Sequence, residues 1–222
     1  MYQRITLSVL SIAALATLIA TPAFALQQGD WLVRVGPAWV LPNDDSGSVS
    51  GIPGSEVSVD DDVTLGFTIG YMMTDNLALE LLGVIPAQHD INGEGSIGVL
   101  GRIGDTKVLP PTLSIQYHFM PQAQIRPYVG AGINYTLFFD EDTSSRLENA
   151  LGGKTDLELD DSWGLAAQAG VDVVFKDNWF ANLTAWYVDI ETEATLKTNG
   201  VKRKVDVDID PWVLMLSVGT SF

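Results

Sequence analysis

Two histidines, His89 and His118, are the whole supply of imidazole, and the chain has no cysteine. Thiolate nucleophiles, thiolate metal sites and disulfide scaffolds are thereby excluded. His89 falls in a polar connection and His118 low in an apolar segment, so the two are expected at opposite ends of the fold. No Ser-His-Asp set follows from them, and no run of acids has EF-hand spacing. Catalytic, cofactor and metal groups are accordingly not expected, and the chain reads as a non-enzyme. Four charges stand out because their surroundings are apolar: Arg34, Glu80, Arg126 and Asp172. Two of each sign in a narrow interior would pair, since an isolated buried charge is costly. Elsewhere acids dominate, 28 Asp+Glu against 12 Lys+Arg for a net charge of −16. Such a chain repels backbone phosphates, which argues against a nucleic-acid partner. A hydrophobic content of 46% argues against a disordered acidic protein.

The elements that must hold those charges alternate with a period of two, the signature of two-faced strands. Val63, Leu65, Phe67, Ile69, Tyr71 and Met73 share one parity; Thr64, Gly66, Thr68, Gly70 and Met72 share the other. The C-terminal stretch sets Trp212, Leu214, Leu216, Val218 and Phe222 against Val213, Met215, Ser217, Gly219 and Ser221. A helix would mix these opposed sets on one side. Eight strands are predicted, at 30–41, 62–73, 77–87, 109–119, 125–138, 162–175, 178–190 and 205–222. Tight turns at 74–76, 120–124 and 176–178 alternate with long polar connections at 42–61, 88–108, 139–161 and 191–204. An even number of strands, with short turns at one end and long loops at the other, describes an all-β, eight-stranded antiparallel barrel of the bacterial outer membrane. The first segment fits export. Arg4, the apolar run Ile5 to Ala20, Pro22 and Ala23-Phe24-Ala25 make the three parts of a signal peptide. Cleavage is expected after residue 25, leaving residues 26–222 as the barrel, with no window near the roughly 20 apolar residues of a membrane helix.

A soluble lipocalin-like barrel is the alternative, and it would turn the oily parity inward. Three features oppose it. The oily parity is larger and more continuous, and a narrow eight-stranded lumen accepts small and polar side chains better than Phe, Tyr and Trp. Aromatics mark both ends of that face, Trp31 with Trp39 and Trp163 with Phe175, as interfacial girdles do. The chain also ends on the oily parity with Phe222, where the barrel-assembly machinery is an expected partner.

Parity and strand direction then sort the lumen by height. Arg34, Glu80, Gln116, His118, Arg126, Tyr128, Asp172 and Asn182 fall low, as a polar plug on the periplasmic side. Ala38, Val40, Leu82, Val84, Pro86, Phe138, Trp186, Val188, Val213 and Met215 fall high. An ion or sugar pore would line its mouth with charge. An apolar upper lumen instead suits a pocket for small hydrophobic compounds, with a packed core as the alternative. Pro86, Pro110 and Pro111 flank the second long connection. Each removes a ladder donor, so the wall there is a candidate lateral opening, with plain strand termination as the alternative.

At these residues the sequence resembles the OmpW/AlkL family of bacterial outer-membrane proteins. The resemblance is carried by Tyr71-Met72-Met73-Thr74-Asp75-Asn76 leading to Leu79-Glu80-Leu81-Leu82, Leu109-Pro110-Pro111-Thr112-Leu113, the run Arg126 to Thr136, Asp161-Ser162-Trp163-Gly164, Trp186-Tyr187-Val188-Asp189-Ile190 and Asp210-Pro211-Trp212-Val213. It implies a hydrophobic channel closed toward the periplasm, with entry from outside and lateral exit into the membrane. It also implies a constriction at a Leu and a Trp, matching Leu82 and Trp186. Thr220 departs from the aromatic often found two residues before the end.

The long connections carry many acids, among them Asp44, Asp45, Glu56, Asp60 and Asp61, then Asp140, Glu141, Asp142, Glu148, Asp156, Glu158, Asp160 and Asp161. They are expected to be solvated and mutually repelling. A second reading has divalent cations bridging them to lipopolysaccharide, and Lys202-Arg203-Lys204 offers a direct contact to lipid phosphates. The function class that competes with a hydrophobic channel is therefore a structural or adhesive barrel acting through its acidic loops.

Overall fold

In lipid every backbone donor needs a partner, so a two-faced strand set is stable only when it closes on itself. The computed structural model describes residues 25–43 and 45–222. Its strands, in chain order, are β1 (Trp31–Leu41), β2 (Asp45–Ser46), β3 (Ser55–Val59), β4 (Asp62–Met72), β5 (Leu77–Val84), β6 (Ala87–Gly95), β7 (Arg102–Leu109), β8 (Thr112–His118), β9 (Ile125–Thr143), β10 (Thr155–Leu159), β11 (Ser162–Lys176), β12 (Trp179–Val188), β13 (Glu191–Thr198), β14 (Val201–Asp208) and β15 (Trp212–Ser221). One helix, α1 (Ser145–Leu151), follows β9. Eight of the strands close antiparallel in the order β11-β12-β15-β1-β4-β5-β8-β9, with β9 returning to β11 from Ile125↔Val173 to Thr136↔Ser162. The fold is the expected eight-stranded barrel.

The oily parity faces outward. Phe67, Ile115 and Leu216 are 41%, 53% and 53% exposed, whereas Arg34, Glu80 and Asp172 are buried. In a water-soluble barrel that order would be reversed. Aromatic belts bound the apolar band. Trp31 packs on Tyr71 at one end, and Tyr135 on Trp163 and Tyr187 on Trp212 at the other. In the second belt the Tyr135 and Tyr187 hydroxyls donate to Asp161 and Asp210, the half-wet arrangement expected at a membrane interface.

The long connections depart most from expectation. They are strands, and they extend the wall beyond the membrane. The upper part of β9 pairs with β7, and β7-β6-β3 follow as a sheet; β10-β13-β14-β2 form a second sheet. Their acids point outward while Val57, Leu147, Ala194, Leu196, Val205, Val207 and Ile209 are buried together with the upper barrel. The last predicted strand, 205–222, is two: β14 ends at Asp208, and β15 starts after Pro211, which has no N–H to donate, and after Asp210, which sits at φ 38°. The strand predicted at 109–119 begins only at Thr112, because Pro110 and Pro111 interrupt it. The strand predicted at 77–87 ends at Val84, and β6 restarts at Ala87 with the parity moved by one, so Pro86, predicted to point inward, is exposed. The expected leader, residues 1–25, lies outside the described residues except for Ala25, and so does Asp44 of the first connection.

Candidate functional site

The lower lumen is a hydrogen-bonded ionic network centred on Arg34. Strand pairing sets it up: β1 places Arg34 opposite Thr68 of β4, β4 in turn places Gly70 opposite Glu80 of β5, and β11 brings Asp172 opposite both Arg126 and Asn182. The Arg34 guanidinium donates to Glu80 at 2.7 Å and to both Asp172 oxygens at 3.1 and 2.9 Å, the planar fork matching a carboxylate. The rings of Tyr128 and Phe180 lie 5.1 and 5.4 Å from the same guanidinium, within cation–π range. Asn182 donates to Asp172 and to the Tyr128 hydroxyl. Gln168 reaches Glu80 and accepts from Gln116, which in turn meets His118. Both predicted acids thus converge on Arg34, while Arg126 donates to the Ala123 carbonyl at the periplasmic rim.

Space for Tyr128 comes from Gly170, directly opposite it on β11. A Cβ at Gly170 would lie 2.5 Å from the Tyr128 ring and hydroxyl. Gly170→Val should therefore push the ring off Arg34 and destabilise the barrel by about 1–3 kcal/mol, the usual cost of overpacking. The check is a lower urea midpoint at an unchanged slope.

Above the network the interior becomes apolar. Ala38, Ala166, Trp186 and Met215 pack as a buried floor in one cluster with Leu82, Val188 and Val213. The Trp186 N–H has no hydrogen-bond partner among the described residues. Over this floor lies a cavity of about 180 Å³. It is lined from the barrel by Val40, Leu82, Val84, Val188 and Val213, and from the extension by Phe138 and a ring of Val, Ile and Leu that includes Val57, Ile91, Leu147, Leu196 and Val207. A dry apolar cavity of about 150 Å³ accepts benzene in another protein, so this one has room for a small aromatic or a short alkyl chain. Of the residues predicted for the upper lumen, Leu82 lines the cavity, whereas Trp186 and Met215 lie in the floor beneath it.

The wall beside the cavity is interrupted. Pairing of β5 with β8 ends at Leu82↔Thr112, and pairing of β6 with β7 begins at Ala87↔Val108. Among the described residues no ladder pair joins 83–86 to 109–111. Pro86, Pro110 and Pro111 have no N–H to contribute there. The Pro111 carbonyl accepts from the Tyr135 N–H, which puts the break at the level of the second aromatic belt. Pro110 lines the cavity. Sequence reasoning put Pro110 and Pro111 at the break but turned Pro86 the wrong way, and it missed the cavity's upper walls, whose signal was present: Ala194, Leu196, Val205 and Val207 alternate with polar and charged residues as in any half-buried strand.

Comparison with known proteins agrees with this geometry. The family model described as OmpW family matches residues 27–222. Outer membrane protein W of Vibrio cholerae is 48% identical over 217 residues, covering 97% of this chain and 99% of that protein. The crystal structure of the outer membrane protein OprG from Pseudomonas aeruginosa superposes with a TM-score of 0.82 at 38% identity, covering 89% of this chain and 98% of that one. A more distant relative, the dibenzothiophene metabolism operon protein PahQ of Pseudomonas aeruginosa, is 25% identical over 208 residues, covering 92% of this chain and 93% of that protein.

Proposed function

The chain belongs to the OmpW family of outer-membrane barrels, and from that membership we propose that it is a conduit for small hydrophobic molecules. The compound enters the cavity formed by the extracellular extension, stops above the ionic base, and leaves sideways between β5 and β8 into the outer leaflet. Leu82 is the narrow point, and the Arg34 network closes the axial route to water and ions. Export by a cleaved leader and delivery by the assembly machinery through Phe222 are parts of the same reading. The observation that carries it is the apolar cavity, whose lining reaches Pro110 at the wall break. The name of the PahQ relative links it to the metabolism of an apolar aromatic compound, dibenzothiophene. A purely adhesive barrel would have no use for a hollow apolar interior behind its acidic surface.

The test replaces the missing donors. Pro110→Thr with Pro111→Val restores two N–H groups to the wall in strand-forming residues. In cells carrying this variant, uptake of naphthalene is expected to fall several-fold while the cavity still binds it. In planar bilayers the native barrel is expected to pass no measurable ion current. Native-rate uptake by the doubly substituted barrel rejects the sideways exit, and a steady ion current rejects the ionic base as a plug.

A further inference from the structure

The few polar side chains that line the cavity share one property. His89, Thr106, Thr112 and Thr192 all line it, and each commits its donor to a backbone carbonyl. The Thr192 hydroxyl donates to Asp160 at 2.7 Å and the Thr112 hydroxyl to Pro110 at 3.2 Å. The Thr106 hydroxyl is shared between Lys107 and Phe139, each at 3.4 Å. His89 Nδ1 lies 2.9 Å from the Asp60 carbonyl. A carbonyl only accepts, so Nδ1 carries the proton, and in the neutral ring Nε2 is left with a lone pair. Nε2 has no partner among the described residues, although His89 is only 4% exposed. The floor's own donor, Trp186 N–H, does not line the cavity.

We propose that the cavity selects apolar molecules bearing a single hydrogen-bond donor, a hydroxyl or a ring N–H, which is accepted by His89 Nε2. This rests on the conduit reading and narrows it to a substrate class. A pure hydrocarbon leaves the Nε2 lone pair without a partner in an apolar room. An acceptor-only ligand such as an ether or ester also finds nothing to bond. A phenol or aliphatic alcohol satisfies Nε2 and still buries its hydrocarbon body, so it is favoured by the worth of one hydrogen bond, about fivefold to tenfold in affinity.

The experiment uses p-cresol and p-xylene, matched in shape and differing in one hydroxyl, with the native barrel in phosphatidylcholine nanodiscs. The protein is labelled with 15N at its histidine rings and 13C at its Leu, Ile and Val methyls. Since His89 and His118 are the only imidazoles, the ring signals are readily separated. Both probes are expected to move the methyl signal of Leu82. Only p-cresol is expected to move His89 Nε2 in the direction of an accepted hydrogen bond, and to saturate at about one fifth to one tenth of the p-xylene concentration. His89→Phe keeps a ring in place and should abolish the preference for p-cresol or turn it toward p-xylene, because the cresol hydroxyl then enters the cavity without its acceptor. The 15N measurement on the native barrel needs no variant. If both probes reach Leu82 with equal affinity and Nε2 is unmoved, donor selection is overturned and the conduit reading stands. If neither probe reaches Leu82, both fall.

Discussion

Arg34→Met is expected to cost about 3–5 kcal/mol of barrel stability, at least a hundredfold in the folding equilibrium. The reason is where Glu80 and Asp172 are left. Both carboxylates are buried, and both are held by the one guanidinium. Methionine fills the stem volume but returns none of the donors at 2.7, 2.9 and 3.1 Å. A salt bridge in an interior is itself weak evidence of net stabilisation, because desolvation offsets attraction; removing one partner is what is expensive. Hence the informative companion is Arg34→Met with Glu80→Gln and Asp172→Asn, which removes all three charges and should recover most of the loss. Urea unfolding in lipid, followed by tryptophan emission and by the gel mobility of the folded barrel, measures both. Equal stability of the native and Arg34→Met barrels would remove the network from any structural role.

That network illustrates how much was legible in the sequence. Parity alone placed Arg34, Glu80, Gln116, His118, Arg126 and Asp172 inside, since a strand gives each side chain only two directions. It did not reveal that both acids bind one arginine, because partner choice depends on strand stagger around the closed barrel, a long-range property. The extension was lost for a different reason. Its apolar residues are separated by polar and charged ones, so polarity masked an alternation that runs unbroken from Thr192 to Thr198 in the burial pattern of β13. The Asn199-Gly200 pair between β13 and β14, both at positive φ of 50° and 80°, is the turn chemistry of a two-residue hairpin. Treated as a hairpin signal rather than as loop composition, it would have turned 191–204 into two strands. Pro86 was misplaced because a kink resets parity, and period two carries across a kink only when none of the intervening residues is skipped.

Leu82→Asp is expected to lower uptake of an apolar probe by at least tenfold, close to that of cells lacking the barrel, with the fold retained. Leu82 is buried on β5 with its side chain in the cavity lining, one pair below the wall break. A carboxylate there can draw water into the hollow, so the barrel survives, but an apolar molecule must then displace that hydration to pass Leu82. Leu82→Met, which preserves volume and polarity, should stay within about twofold of native. The contrast with Trp186 gives the test its discrimination. Trp186 lies in the floor, fully buried against Ala38, Ala166 and Met215, and does not line the hollow. Trp186→Glu places an unsolvated charge in packed surroundings and is expected to fail at folding, with loss of the folded gel band. A folded Leu82→Asp barrel that takes up naphthalene at the native rate would mean the compound does not pass Leu82, and the route through the cavity would have to be abandoned.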